Sequence, residues 1–409
     1  MKASLLSIGS ELLRGRMPDT NSSLIAQTLS ESGIEVVGIR AVADRVEDIR
    51  HAFASAMKEA RLVISTGGLG PTFDDLTREG LAAAIGRELL FSPEAHEMVE
   101  KALERWGRKP REIDLRQAYV PSGCTPVFNM FGVAPAIRFE DEDHLVYCLP
   151  GVPQEMRGFL PRIVEELRSS LGVSPPLLLK LTIAGMPESL VGEKIENLGL
   201  RGVTEKIINV SHGEMTLRLL FNVGDTEALD EARERLSAAF GDNLVSTSGE
   251  PLSVAVSRQL TERGETLSTV ESCTGGIISG MLTEISGSSR WFLGGFITYS
   301  NELKEMLGVS RCTLEKFGAV SLECAEEMAV AGRAAASSTY CLAVTGIAGP
   351  TGGTAQKPVG TVCVAVNGPS GTVSRLYKFA GTRSFIRGIA ATNALNMLRM
   401  YIADRGTAR

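Results

Sequence analysis

The stretch Thr266–Gly276, TLSTVESCTGG, joins a strand-like run to a tight turn, and an apolar helical stretch follows it. Thr266 to Val270 has the β-branched and apolar composition of a strand. Ser272 comes at the strand-to-helix turn, where its hydroxyl lies beside the unpaired N–H groups of a helix start. Because such N–H groups can stabilise a developing oxyanion, Ser272 is a candidate nucleophile.

A lysine follows the next predicted strand at a distance that suits a catalytic pair. Phe292–Tyr299 is typical of a strand, and Lys304 comes 32 residues after Ser272, which is about one βαβ unit. A lysine can activate a serine without histidine. Helix capping by Ser272 and an exposed position for Lys304 explain the same residues, so both interpretations stay open. The histidines all precede this region: His51, His96, His144 and His212.

The length and overall composition of the chain limit the kind of protein it can be. A chain of 409 residues, 44% apolar and 22% charged, is expected to form two or three globular domains. The net charge of −6 argues against a broad nucleic-acid-binding face. The first residues run straight into a strand, and no apolar stretch approaches the about 20 residues of a membrane span. The seven cysteines lack a CxxC pair, so we expect a reduced cytoplasmic protein without disulfides or zinc.

Strands and helices alternate over residues 4–170. Leu5–Ile8, Ile34–Val42 and Arg61–Thr66 have strand composition, and Asp19 is expected to cap a helix that Gly33 ends. This alternation predicts a largely parallel sheet with helices on both faces. Ligands then bind at the carboxyl ends of the strands.

Pro175-Pro176 marks a boundary in the pattern. Beyond it we predict a small βαββαβ unit, whose titratable residues form no assignable cluster and which is therefore expected to be a spacer. Ser246–Pro251 has the composition of a linker. The last part, about 250–409, alternates strands and helices again and ends in a long predicted helix, about Ser384 to Asp404.

A glycine-rich loop, Gly67–Asp75, follows the third predicted strand. Glycines allow the backbone to approach an anion, whereas Asp74 and Asp75 in the same loop would repel a bare phosphate. A divalent cation between carboxylate and phosphate removes the conflict, and Glu11 and Asp19 could supply further oxygen ligands. Aspartates that only cap a tight turn are the alternative.

Motifs along the whole chain resemble those of one protein family. Four motifs of the first half resemble the MoaB/MogA-like, molybdopterin-binding domain of CinA proteins: Ile8–Leu13, Asp19–Asn21, Gly67–Thr77 and Leu149–Met156. Five motifs resemble the C-terminal CinA domain: Glu271–Gly276, Tyr299–Lys304, Gly318–Ser321, Thr345–Pro350 and Lys357–Val362. The resemblance implies an α/β protein with three parts: a three-layer MoaB/MogA-like domain (1–172), a KH-like βαββαβ domain (176–247) and a C-terminal α/β CinA domain (250–409).

The resemblance implies two activities in the recycling of pyridine nucleotides. The C-terminal domain would be a nicotinamide-nucleotide amidohydrolase of the PncC-like kind, which converts nicotinamide mononucleotide to nicotinic acid mononucleotide and ammonia without a cofactor. The N-terminal domain would be an ADP-ribose pyrophosphatase that needs a divalent metal, Mg²⁺, Co²⁺ or Mn²⁺, and yields AMP and ribose 5-phosphate. A cytoplasmic homodimer with small nucleotides as its partners is expected, with no membrane and no direct nucleic-acid contact.

The resemblance and the residues together assign roles at both sites. Ser272 would attack the carboxamide, Lys304 would take its proton, and Tyr299 would orient the pair. Backbone N–H groups of Thr274, Gly275 and Gly276 are expected to bind the oxyanion, and the loop with Thr345, Gly346 and Gly349 is expected to line the nucleotide pocket. Arg383 and Arg387 could bind the phosphate, or they could lie on a helix surface without a ligand. The first domain would use Asp75 as the catalytic metal ligand, assisted by Asp44, Glu11 or Asp19, and Gly67, Gly68, Gly70 and Thr72 as substrate contacts.

Three other functions stay open from the sequence. The first is a molybdopterin-handling enzyme, since the N-terminal domain resembles proteins of that pathway. The second is a partner protein of competence and recombination, as the family name suggests. The third is an N-terminal domain that binds a nucleotide as a regulatory module without hydrolysing it.

Overall fold

The computed structural model of the protein describes residues 1–172 and 174–404. It divides into two compact units, with the boundary between Pro176 and Leu177. Among the described residues no helix combines the length and the apolarity that a membrane crossing needs. All seven cysteines are free thiols. The division into three domains and the cytoplasmic location stay predictions.

Eight strands of the first unit form two sheets: β1 (Lys2–Ile8), β2 (Glu35–Val42), β3 (Leu62–Thr66), β4 (Leu89–Phe91), β5 (Tyr119–Pro121), β6 (Thr125–Val127), β7 (Ala136–Glu140) and β8 (Leu145–Leu149). The larger sheet has the order β2-β1-β3-β8-β7-β6, and β4 pairs with β5 separately. The first four strands of that order are parallel, whereas β7 and β6 are antiparallel to their neighbours. The prediction of a largely parallel sheet is thus confirmed for its first four strands.

Helices cover both faces of this sheet and confirm the three-layer architecture. One face packs against α2 (Thr20–Glu31) and α6 (Pro153–Leu171), which cover Leu5 and Ile64. The other face packs against α3 (Val46–Glu59), α4 (Thr77–Ile85) and α5 (Pro93–Arg105). As predicted, Asp19 caps α2, because its Oδ1 accepts a hydrogen bond from Ser22 N at 2.9 Å. The first unit also has the short helix α1 (Ser10–Leu13) and a 3₁₀ segment at Glu112–Ala118.

The second unit begins with the predicted βαββαβ order. Its elements are β9 (Leu177–Ala184), α7 (Glu188–Asn197), β10 (Val203–Ser211), β11 (Glu214–Phe221), α8 (Thr226–Phe240) and β12 (Leu244–Ser246). They form an antiparallel sheet in the order β10-β11-β9-β12. His212 and Gly213 turn the chain between β10 and β11, and both have positive φ (49° and 85°), as a two-residue hairpin turn requires.

The rest of the second unit is a five-stranded sheet in the order β14-β13-β15-β16-β17. Its strands are β13 (Leu267–Glu271), β14 (Phe292–Ile297), β15 (Tyr340–Gly346), β16 (Thr361–Gly368) and β17 (Gly371–Lys378). β14, β13 and β15 are parallel, so the chain leaves all three at the same carboxyl edge. β16 and β17 are antiparallel.

Helices bury both faces of the five-stranded sheet. The long C-terminal helix α14 (Arg383–Asp404) packs on one face together with α9 (Leu252–Arg263) and α10 (Ile277–Thr283). Helix α13 (Leu322–Ala336) packs on the other face. β13 is therefore fully buried along its length, which fixes the position of the turn that follows it. The two helices between β14 and α13 are α11 (Asn301–Leu307) and α12 (Arg311–Phe317).

Candidate active site

Ser272 lies at the carboxyl edge of the five-stranded sheet, directly after β13. Its backbone N–H donates to Val344 O on neighbouring β15 at 2.9 Å, so the serine is held in continuation of the sheet. Its side chain is almost buried, with 7% of the residue exposed. The turn then passes through Gly275 and Gly276, both with positive φ (56° and 92°), a conformation that glycine adopts without a steric penalty.

Lys304 on α11 reaches the serine, as the spacing predicted. Its Nζ donates to Ser272 Oγ at 3.2 Å and to Thr298 O at 2.7 Å. Only 1% of the residue is exposed, and this burial lowers the pKa of the ammonium below its ordinary value of 10.5. A lysine whose charged form is disfavoured can act as a base near neutral pH. The pair is therefore arranged as a nucleophile with its proton acceptor.

Glu271 binds backbone N–H groups of the serine turn with its side chain, a role that the sequence analysis did not predict. The residue is fully buried. Its Oε2 accepts from Gly276 N at 2.9 Å and from Ile278 N at 3.1 Å. Its Oε1 accepts from Ser279 N at 2.8 Å and from Ser279 Oγ at 2.7 Å. The carboxylate thus satisfies the N–H groups at the start of α10.

This contact changes the prediction for the oxyanion site. The N–H of Gly276 points to Glu271, so it is not available for a substrate oxygen. Within the described residues, the N–H groups of Thr274 and Gly275 have no acceptor, and they are the remaining candidates. Two buried hydroxyls nearby, Thr274 Oγ1 and Thr298 Oγ1, also lack a hydrogen-bond partner in the described part of the chain. Unpaired buried donors of this kind favour a polar ligand.

The two arginines predicted for phosphate are engaged with backbone and side-chain oxygens. Arg387 donates from Nε to Cys273 O at 3.0 Å and from Nη2 to Thr274 O at 2.7 Å. Arg383 donates from Nη1 to Gly349 O at 2.7 Å and from Nη2 to Tyr299 Oη at 2.9 Å. Arg387 therefore holds the serine turn by its carbonyl groups, while Tyr299 is paired with Arg383 instead of the Ser/Lys pair.

Cys273 directly follows the serine but is not a competing nucleophile. Burial raises the pKa of its thiol to about 12. Because the thiolate is the reactive form of cysteine, this thiol is inert at neutral pH.

The predicted nucleotide loop follows β15 at the same edge. Thr345 Oγ1 donates to Ala319 O at 2.7 Å, which fixes the segment before α13. Gly346 has no space for a side chain, since a Cβ there would lie 2.8 Å from Val362 Cγ2. At Gly349, φ is 77° and a Cβ would lie 2.5 Å from Val359 Cγ1. The glycines of this loop are thus required by close packing.

A cavity of about 590 Å³ lies at the carboxyl edge of the first unit. The glycine-rich loop lines it, with Gly67 and Gly68 at positive φ (102° and 66°). A Cβ on Gly67 would lie 2.1 Å from Ile8 O, so only glycine fits there. Arg78 was not predicted as part of this site, yet it is buried under the loop and donates to Leu69 O at 2.6 Å and to Gly70 O at 2.8 Å. Its charge favours an anion above the loop.

The predicted metal residues line this cavity but do not form a ready-made ligand cluster. In residues 1–172 and 174–404, no three His, Cys, Asp or Glu side chains are close enough to hold an ion. Asp44 Oδ2 accepts from Ser10 N at 2.7 Å, and Asp19 accepts from Ser22 N and Ser7 Oγ. Asp75 Oδ2 accepts from Thr72 N at 2.8 Å, which leaves Oδ1 for a cation. Such a donor set fits an ion that takes most of its ligands from substrate phosphates and water, as Mg²⁺ commonly does.

Glu155 is a further carboxylate on this cavity that the sequence reasoning did not assign. Its Oε2 accepts from Asn129 Nδ2 at 2.7 Å, and burial raises its pKa. A carboxyl group with a raised pKa in a cavity is a candidate proton carrier. Only its position in the folded chain reveals this, because a lone glutamate in a helix start is otherwise ordinary.

Comparison with known proteins matches both units to described domains. Residues 4–169 match the family model for a "probable molybdopterin binding domain", and residues 249–402 match the CinA C-terminal domain. A competence-damage inducible protein of Acetivibrio thermocellus is 38% identical, with 98% of this chain and 99% of that protein covered. A CinA-like protein of Fervidobacterium nodosum is 36% identical, with 98% of both chains covered.

Solved structures of CinA proteins also match part of the chain. The CinA protein of Thermoplasma acidophilum is 36% identical at a TM-score of 0.38, covering 41% of this chain and 99% of that one. The competence/damage inducible protein of Agrobacterium tumefaciens is 42% identical at a TM-score of 0.36, covering 37% and 93%. With near-complete relatives above 30% identity and a domain match in each unit, the chain belongs to the CinA family.

Proposed function

We propose that the second unit hydrolyses the carboxamide of nicotinamide mononucleotide to nicotinic acid mononucleotide and ammonia. The observation that carries this proposal is the buried contact of 3.2 Å between Lys304 Nζ and Ser272 Oγ. The family resemblance of the surrounding motifs supplies the substrate. The fold also places the unpaired N–H groups of Thr274 and Gly275 beside the nucleophile, where they can stabilise an oxyanion.

The reaction follows from the positions of these groups. Neutral Lys304 takes the proton of Ser272 Oγ, and the oxygen forms a bond to the carboxamide carbon. The N–H groups of Thr274 and Gly275 stabilise the oxyanion. Lys304 then gives its proton to the leaving nitrogen, the C–N bond breaks and ammonia departs. Water attacks the resulting ester with Lys304 again as base, which releases the carboxylic acid and restores the serine.

The proposal is tested by incubating the purified full-length chain with nicotinamide mononucleotide in the presence of EDTA. We expect ammonia and nicotinic acid mononucleotide in equal amounts, with Ser272→Ala as the inactive control. If the wild-type chain forms neither product, the second unit has this fold without this activity.

The pH dependence of turnover is expected to report on Lys304. Because the lysine works as a base only when neutral, kcat/KM should rise with pH through the pKa of Lys304. Burial lowers this pKa, so the rising limb should have its midpoint below 10.5. A profile from pH 5 to 10 with the carboxamide substrate measures it. A flat profile would contradict the assignment of Lys304 as the base.

Replacing Arg387 by alanine is expected to lower kcat by about tenfold to a hundredfold with little change in KM, since charge-assisted hydrogen bonds to the serine turn are lost. Steady-state kinetics with nicotinamide mononucleotide measure this. Arg387→Lys keeps the charge and part of the hydrogen bonding, so it should recover part of kcat. A rise in KM with kcat unchanged would instead indicate a phosphate ligand.

For the first unit we propose metal-dependent hydrolysis of ADP-ribose to AMP and ribose 5-phosphate. The specific support is the cavity that the glycine-rich loop and several carboxylates line, with buried Arg78 donating to carbonyl groups of that loop. A divalent ion held by Asp75, with Asp19, Asp44 or Glu11 at the same cavity, would neutralise the pyrophosphate charge. Gly67, Gly68, Gly70 and Thr72 would bind the phosphates by their backbone. The expected homodimer stays a prediction.

A further inference from the structure

A second cavity in the second unit has a strongly basic lining. It measures about 570 Å³. Three lysines from three separate elements line it: Lys316 on α12, Lys357 on the loop before β16, and Lys378 at the end of β17. One carboxylate, Glu323, also lines it. Cations converging on one concavity from three elements, against a single carboxylate, favour an anionic ligand.

The lysines differ in what they contact. Lys357 Nζ donates to Phe317 O at 2.6 Å, which ties the loop to the end of α12. Lys316 Nζ lies 4.9 Å from the centre of the Phe317 ring, a cation–π contact. The Lys378 side chain is exposed, and within residues 1–172 and 174–404 its Nζ makes no hydrogen bond or ion pair. Lys316 and Lys378 can therefore turn towards a ligand without breaking the packing of the fold.

The start of α13 opens onto the same cavity. Ser321 caps this helix of 15 residues, with Ser321 Oγ accepting from Cys324 N at 3.1 Å. The first N–H groups of a helix lack partners within it and carry partial positive charge. The N–H groups at the start of α13 therefore add to the positive potential of the lysines, on the side where Leu322 and Glu323 line the cavity.

The cavity lies at the same sheet edge as Ser272. Thr361, the first residue of β16, lines it and pairs in register with Lys378 on β17. β16 is the second strand from β13 in the sheet order, about 10 Å to the side, and the register puts Thr361 three residues beyond the level of Glu271, so the two strand ends are separated by about 14 Å. Thr345 Oγ1, on the strand between them, bonds Ala319 O in the segment that leads into the cavity. A ligand of nucleotide size can span this separation.

We propose that this cavity is a phosphate-binding site, with Lys316 and Lys378 as its ligand-contacting cations. The chemistry recognised is a phosphate monoester. It belongs either to the nucleotide whose carboxamide lies at Ser272, in which case the inference rests on the proposed function, or to a separate phosphorylated small molecule. Arg383 and Arg387 both donate to protein oxygens, so the lysines of this cavity would add positive charge for the phosphate in the first case.

Lysine acetylation of the full-length chain, mapped by mass spectrometry, tests the site without relying on turnover. Inorganic phosphate should slow acetylation of Lys316 and Lys378 by at least about threefold relative to chloride at equal ionic strength. Lys206, an exposed lysine on β10, is the matched control and should be unaffected. Equal acetylation in both salts at Lys316 and Lys378 would overturn the proposal.

Kinetics of the Lys316→Gln/Lys378→Gln variant identify the source of the phosphate. If it belongs to the substrate, kcat/KM for nicotinamide mononucleotide falls at least about tenfold, the effect of one lost charged hydrogen bond, while nicotinamide riboside is unaffected. Unchanged kinetics, together with protection of both lysines by phosphate, assign the site to a separate ligand. A wild-type chain without turnover refutes the proposed function, and the acetylation result still decides this site.

Discussion

Replacing Lys304 by methionine should lower turnover of nicotinamide mononucleotide by on the order of 10³-fold, because the serine then has no base. Lys304 Nζ is the group that contacts Ser272 Oγ. Methionine has a similar length, so it should fill most of the buried space that the Lys304 side chain occupies. Ammonia release under saturating substrate measures the effect.

The stability of the Lys304→Met variant separates chemistry from folding. Removing the lysine eliminates the desolvation of a buried amine, which favours the folded state. It also leaves the carbonyl of Thr298 without its donor at 2.7 Å, which costs about 1–3 kcal/mol. We therefore expect a change in the free energy of unfolding of no more than about 2 kcal/mol. Lys206→Met, at an exposed position, is the control. Wild-type turnover in folded Lys304→Met would refute the Ser/Lys pair.

Replacing Asp75 by asparagine should lower ADP-ribose hydrolysis by about a hundredfold or more, with the carboxamide activity unchanged. Asparagine keeps an oxygen that can accept from Thr72 N, as Asp75 Oδ2 does at 2.8 Å, so the loop should retain its conformation. What is lost is the charge that would hold a cation against the pyrophosphate. AMP formation is measured at saturating Mg²⁺, Mn²⁺ and Co²⁺.

Asp74→Asn is the matched control for this prediction. Asp74 lies in the same loop, exposed, with Oδ1 accepting from Thr72 Oγ1 at 2.6 Å. We expect a smaller loss than for Asp75→Asn. An equal loss of ADP-ribose hydrolysis in both variants would show that the total negative charge of the loop matters, and not Asp75 in particular. If Asp75→Asn also lost the carboxamide activity, the two sites would not be independent. Binding of ADP-ribose by the wild type without hydrolysis would favour a regulatory module.

Local patterns in the sequence predicted most of the element order. Strand composition and capping signals sufficed for β1 to β3 and α2, and for the βαββαβ part, since each depends on neighbouring residues. The approach of Lys304 to Ser272 was also predictable, because parallel strands end at one edge of a sheet. β4 and β5 were missed, since three-residue strands carry almost no periodic signal.

Contacts between distant residues were not predictable from one sequence. Arg387 reaches Cys273 from 114 positions away, and in its helix it has the appearance of an ordinary surface arginine. Glu271 was recognised only as the first residue of a family motif, with no role assigned, whereas the fold buries it under the start of α10. Arg78 is similar, since its burial under the glycine-rich loop depends on the packing of α4.

The central claim, that Ser272 is the nucleophile, is tested most directly by the intact mass of the chain after rapid acid quenching of its reaction with nicotinamide mononucleotide. The account predicts an adduct with the mass of the substrate minus ammonia, located on Ser272 and absent from Ser272→Ala. Formation of nicotinic acid mononucleotide by Ser272→Ala at the wild-type rate, with no adduct on either chain, would contradict it.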